Sequence, residues 1–256
     1  MTNTLSINDL YLTLAGKSIL RGIELSVLDG QMMALIGPNG SGKTSLLHCI
    51  GGLITSYSGA IKLGQQNLST LKQSEIAKQL AYLHQHMPAN LNLSIQQVVE
   101  LGLIPHLSPW GSITREQQYT VVQAITDVGL EHLIDRPFIS LSGGEKQRVL
   151  IAKTIVQNPS YLLMDEPTNH LDIKHQMAIL SLVKSLRLTT IACIHDINLA
   201  LATCDYIVCL NDGDIVFAKL TSAVSADDFA KVYGVDCLID EEPYLGRKRL
   251  NVRWQA

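Results

Sequence analysis

The stretch that most restricts how this chain can fold is "MMALIGPNGSGKTSLLHCI", residues 32–50. A five-residue apolar run, a glycine-rich turn and an amphipathic stretch read as strand, loop and helix. Residues 37–44 fit the pattern G-x-x-x-x-G-K-[ST]. Gly37, Gly40 and Gly42 allow positive φ and close approach, so the backbone N–H groups of Asn39, Gly40, Ser41 and Gly42 can converge on an anion, with Pro38, which has no N–H, shaping the turn. The helix starting near Gly42 adds its free N–H groups and its dipole, with Ser45 in its first turn. Lys43 supplies a cation suited to β- and γ-phosphates, and the Thr44 hydroxyl is placed to ligate Mg2+. The expected ligand is therefore a nucleoside triphosphate held at a strand-to-helix turn.

Further short aliphatic runs bounded by turn residues predict strands at 23–28, 60–63, 80–84, 161–164, 189–194, 206–210 and 214–217. Those at 32–36, 161–164 and 189–194 are almost continuously apolar, which suits a sheet covered on both faces. Helical stretches follow them, as in a parallel α/β core. From about Met87 to Asn158 the pattern changes. "SIQQVVELGL", "REQQYTVVQAITDVGL" and "GEKQRVLIAKTIVQ" are helical, and Pro88, Pro105 and Pro109 punctuate the first half. This segment is expected to form a helical subdomain inserted into the sheet, with no internal repeat anywhere in the chain.

"YLLMDEPTNHLD", residues 161–172, places Asp165 at the C-terminal end of a buried strand, where open α/β sheets bind ligands. An aspartate there can hold Mg2+ through water, and Glu166 beside it can accept a proton from an attacking water. An apolar-Asp-Glu run alone is common at strand ends. Following a phosphate loop, it implies phosphoryl transfer from ATP to water. The pair His84 and His86 has no third ligand in view and does not read as a metal site.

Bulk properties narrow the class. A formal charge of −3 argues against a protein that coats nucleic acid or anionic lipid. "GRKRLNVR" near the C-terminus reads as a solvated tail or an edge strand. Five cysteines, without CxxC spacing, read as reduced and packed thiols. No apolar run approaches the ~20 residues that span a bilayer, and the N-terminus lacks a secretory pattern. A soluble, intracellular protein is expected.

Phosphate loop, acidic strand and "LSGGEKQRV" at 141–149 together resemble the ATP-binding-cassette ATPases, over essentially the whole chain. The resemblance implies an α/β P-loop NTPase core with a mixed or parallel sheet, an N-terminal antiparallel β portion and an inserted helical subdomain. It implies one nucleotide-binding domain over 1–256, with 1–87 and 159–256 as core and 88–158 as the helical part. Gln85 in "AYLHQH" would be the loop glutamine that senses Mg2+ and links to the helical part. His195 in "CIHDINLA" would be the switch histidine at the γ-phosphate. Asp172 would close a turn at a dimer interface. Ser142, Gly143 and Gly144 also fit a capping box with Glu145, but two glycines in a first turn cost helix stability and clear the approach of a phosphate. By the resemblance, that phosphate is held by a second copy of the chain, so two subunits sandwich two ATP–Mg2+.

One position departs from the family pattern. The aromatic that stacks on adenine near the end of the first strand falls at Leu14, and Tyr11, three residues away, is expected on the opposite face. Weak discrimination between ATP and GTP follows. The resemblance leaves two classes of function: the motor of a membrane importer, or a cassette ATPase without a membrane partner. Translation-type members carry two cassettes and repair-type members a long coiled coil, neither seen here; the iron–sulfur-assembly type stays open. The segment 86–125 and "CIHDINLALATCDYIVCLNDGDIV" resemble importers of ferric siderophores, haem and cobalamin. There the ATPase chains dock beneath a permease dimer at the cytoplasmic face of the membrane, a substrate-binding protein stands outside, and 87–110 lines the groove for a permease helix.

Overall fold

The computed structural model describes residues 4–83, 92–108, 111–169, 171–241 and 248–253. Gln85, His84, His86, Met87, Pro88 and Pro109, singled out above, lie outside them, as does residue 110 at the end of the expected permease groove. The chain divides into two compact units, Met1–Leu71 with Arg187–Ala256, and Lys72–Leu186.

The first unit opens with β1 (Leu5–Leu14), β2 (Lys17–Val27), β3 (Met32–Ile36), α1 (Lys43–Ile50), β4 (Ser58–Leu63) and β5 (Gln66–Asn67). The second unit contains α2 (Gln73–Gln79), β6 (Leu80–Leu83), α3 (Ile95–Glu100), α4 (Arg115–Asp127), α5 (Gly143–Gln157), β7 (Tyr161–Asp165) and α6 (Ile173–Ser185). The chain then returns to the first unit with β8 (Thr189–Cys193), α7 (Ile197–Thr203), β9 (Tyr206–Asn211), β10 (Asp214–Leu220), α8 (Ala226–Tyr233), β11 (Cys237–Glu241) and β12 (Lys248–Val252).

In the first unit, β2, β1, β4 and β5 form an antiparallel sheet in that order. β3 lies parallel to both β8 and β9, and β10 returns antiparallel to β9. Every residue of β3 and β8 is buried, as their unbroken apolar runs require of strands covered on both faces. Each fully buried aliphatic side chain there contributes about 1.5–3 kcal/mol. Strands β11 and β12 pair antiparallel over five residues, so "KRLNV" is an edge strand.

β1 and the first half of β2 were not legible as strands. β1 carries register shifts between Ile7 and Leu10, Leu10 and Leu12, and Leu12 and Thr13, and Asp9 has φ 49°. These bulges break the two-residue alternation that marks a half-buried strand. Ala15 and Gly16, both at positive φ, make the two-residue connection to β2.

In the second unit β6 runs parallel to β7. Three helix starts carry the pattern [ST]-x-x-[EQ], and each forms a reciprocal capping box: Ser94 with Gln97, Thr114 with Gln117, and Ser142 with Glu145. α5 is the spine, with Val149, Ile151 and Ala152 wholly inaccessible. It ends at Asn158 in the left-handed conformation. α3 runs on into a tighter turn, Leu101–His106, which contains Pro105. Gly102 lies so close to the Lys153 carbonyl that a Cβ would come within 2.3 Å. No helix among the described residues is long and apolar enough to cross a membrane. All five cysteines are free and buried, as packed thiols should be.

Candidate active site

The first unit holds the phosphate loop between β3 and α1. Gly37 has φ 140°, and a Cβ there would lie 2.0 Å from the Leu210 carbonyl oxygen; only glycine fits, because β9 runs directly beside the loop. Gly42 has φ 104° and caps α1 without any side-chain hydrogen bond. The helix therefore presents an open N-terminus. Ser41 is 2% exposed, and its Oγ is one of two buried side-chain polar atoms among the described residues that have no hydrogen-bond partner. Lys43 is buried, and its Nζ donates to the Gly37 oxygen at 2.8 Å and the Pro38 oxygen at 2.9 Å. An ammonium has three donors; two are spent fixing the loop and one is left to point at an anion. The turn after β9 braces the loop, with Gly213 N–H donating to the Ser41 carbonyl. An orphaned hydroxyl, an uncapped helix and a seated lysine fit a phosphate chain.

His195 follows the buried end of β8 and is exposed. Asp196, next to it, caps α7, accepting from the N–H groups of Asn198 and Leu199 at 2.8 and 3.1 Å. The histidine is thus pinned between a strand end and a helix start. Tyr11 lies across Gly22 of the neighbouring strand, its hydroxyl 2.8 Å from where a Cβ would be, and is half exposed. That packing explains the tyrosine without adenine.

The second unit holds the acids. β7 delivers Asp165 at its last residue, and the Tyr82 hydroxyl of β6 reaches its Oδ2 at 3.5 Å. Glu166 has φ 51°, a left-handed conformation that side chains other than glycine rarely hold. The Asn169 amide donates to Glu166 Oε2, and its backbone N–H to the Glu166 carbonyl at 3.3 Å. Asn169 was not singled out from sequence, although it follows the glutamate by the three residues of a tight turn. It aims the carboxylate that is the candidate base.

At the "LSGG" turn, Glu145 Oε2 accepts from Ser142 N–H at 2.8 Å and from its Oγ at 2.7 Å. These bonds to Ser142 hold the Glu145 carboxyl below its ordinary value. A Cβ on Gly144 would lie 3.0 Å from His175 Cδ2, and one on Gly143 would lie 3.3 Å from a Leu171 methyl. His175, also missed from sequence, is bound to Asp172. The Asp172 carboxylate accepts from the His175 N–H at 2.9 Å and from Nδ1 at 2.8 Å, and these bonds hold it low. The spacing Asp172-x-x-His175 at a helix start was the available signal. Small residues at 143 and 144 thus have a second reason: the loop after β7 packs on them.

The sequence profile of the ABC transporter family matches residues 20–169. The petrobactin import ATP-binding protein FpuC of Bacillus anthracis is 34% identical over 260 residues, covering 98% of this chain and 96% of that protein. The hemin import ATP-binding protein HmuV of Pseudomonas fluorescens is 32% identical over 258 residues, covering 97% and 100%. The solved structure of a nucleotide-free ATP-binding cassette from an ABC transporter superposes with a TM-score of 0.80 at 22% identity, covering 96% and 97% of the two chains. With the phosphate loop, the acidic strand and the LSGG turn in one α/β chain matched along its length by import ATPases, this protein belongs to the ABC transporter family, as one of its ATP-binding-cassette ATPases.

Proposed function

We propose that the chain is the ATP-hydrolysing motor of a membrane importer for a metal chelate: a ferric siderophore, haem or cobalamin. The observation that carries this is the phosphate loop, with Lys43 seated on the Gly37 and Pro38 carbonyls, in a chain covered almost end to end by the petrobactin relative. Two copies meet head to tail. The backbone of 37–45 and Lys43 bind the phosphates of one ATP, while Ser142, Gly143, Gly144 and Asp172 of the other copy close over it. Thr44, Gln85 and Asp165 are the residues to hold Mg2+, which when bound neutralises phosphate charge. Glu166, aimed by Asn169, takes the proton of the attacking water, and His195 orients that water and the γ-phosphate. Closure drives the permease, and hydrolysis reopens the pair.

The proposed place of work is the cytoplasmic face of the inner membrane, beneath a permease dimer that receives cargo from a substrate-binding protein; nucleic acid has no part. The proposed helical part is 88–158, and the proposed docking groove is 87–110, which includes Ile104, 59% exposed. Ile104→Glu should abolish the stimulation of ATPase by the permease and leave ATP binding unchanged. The test is reconstitution with a permease of the metal-chelate importer class, comparing ATPase with and without it. An ATPase indifferent to every membrane partner would turn the assignment to the iron–sulfur-assembly type.

A further inference from the structure

Within the first unit, the segment after β10 is fastened into one body. Lys219 Nζ of β10 pairs with both Asp228 oxygens of α8 at 2.7 and 2.9 Å. Phe217 and Phe229 meet edge to face at 5.7 Å. The Cys237 thiol of β11 donates to the Ala226 carbonyl at 3.3 Å, and Lys248 Nζ of β12 to the Val224 carbonyl at 2.6 Å.

From that body one contact reaches α7, the helix that follows His195. It is at Asn198, in the first turn of α7 and three residues past His195. Its Nδ2 donates to the Leu250 carbonyl at 3.2 Å, and its Oδ1 accepts from the Leu250 N–H at 2.7 Å. One side-chain amide satisfies both backbone groups of a buried β12 residue. α7 cannot rotate about its axis without orphaning them.

We infer that the C-terminal segment is a positioning element for ATP hydrolysis: Asn198, through Leu250, fixes the helix behind His195. The inference rests on the ATPase reading above. Asn198 does not touch the reacting atoms and acts through the histidine that α7 follows, so Asn198→Ala should lower kcat about tenfold at nearly unchanged KM. Asn198→Asp keeps the acceptor for the Leu250 N–H and should fall between.

The experiment measures kcat, KM, equilibrium ATP binding and the melting temperature of these full-length variants, with hydrogen exchange across α7. A fall in kcat without a matching change in KM, at a melting temperature close to wild type, supports the inference. Wild-type constants in Asn198→Ala, or losses that merely track lowered melting, overturn it. Should the wild-type chain hydrolyse no ATP with its permease, the ATPase reading fails by itself. The exchange of α7 amides in Asn198→Ala then decides the positioning claim: faster exchange supports it, and unchanged exchange overturns it.

Discussion

Two helices in this molecule begin with a serine and glycines, and they treat their N-termini in opposite ways. α1, in the first unit, has no side-chain cap, a buried lysine beside it and a hydroxyl without a partner. α5, in the second, is closed by its own Ser142–Glu145 box. An open helix start leaves backbone donors unsatisfied and needs a ligand to complete it. A capped one is already satisfied, so it can fold and wait. The difference supports the proposed division of labour, in which the first loop is an ATP site in the single chain and the second becomes one when a partner copy brings its phosphate.

The largest effect should come from the acid that neither loop contains. Glu166→Gln removes the proton acceptor and keeps the shape, so hydrolysis should fall by about 10²–10³ while ATP binding persists. The doubly loaded pair should then accumulate on size exclusion. Turnover near the wild-type rate would remove Glu166 from its role. Ser142→Arg tests the comparison itself. It should abolish hydrolysis, about a hundredfold or more, yet leave ATP affinity of the single chain within about twofold, since α1 alone carries that affinity. Equal loss of single-chain binding would mean that the two loops are not divided as argued.

How far such a division can be read from sequence depends on how local its causes are. The phosphate loop was fully legible, because its glycines, Lys43 and Thr44 sit within one strand-turn-helix. The LSGG capping box was legible for the same reason, at spacing three. Asn169 and His175 had local signals that were weaker, as each is an ordinary polar residue until its partner is known. Asn198 had none: its partner Leu250 lies 52 residues further along the sequence, and only the fold brings them together. β1 was lost to its bulges, which erase the period that strand recognition relies on. The second unit also takes in β6, β7 and α6, because β6 and α6 pack on α5 and β7 pairs with β6, although their sequences read as core.

A middle-sized effect should arise where the capped loop meets its neighbour. Gly144→Ala places a methyl 3.0 Å from His175 Cδ2, so the imidazole must shift and loosen its hold on Asp172. Hydrolysis should drop roughly three- to tenfold with little change in ATP affinity, and His175→Ala in the same chain should recover part of the loss, as expected of residues in contact. Additive losses would show that the glycine is needed for the phosphate alone. On the open loop, Tyr11 is engaged with Gly22 and Leu14 offers no ring, so ATP should be preferred over GTP by less than about tenfold, which is ~1.4 kcal/mol. A larger preference in competition binding would mean that another group reads the base.

The smallest effect concerns the cap itself and follows from the depressed Glu145 carboxyl. Its ordinary value is 4.5, and the Ser142 hydrogen bonds lower it, with smaller help from Arg136 and Arg148. A carboxylate that binds its proton less readily in the folded chain stabilises the fold when ionised. That contribution is complete above the unfolded value near 4.5 and disappears as pH falls through the lower folded value. Comparing melting temperatures of the wild type and Glu145→Ala across pH should therefore show a gap that is constant at neutral pH and closes only on the acid side of 4.5. The group is solvent-facing, so screening keeps the gap below about 1 kcal/mol. A gap that survives into strong acid would mean that Glu145 supports α5 by packing, and the contrast between an open and a self-closed helix start would lose its electrostatic half.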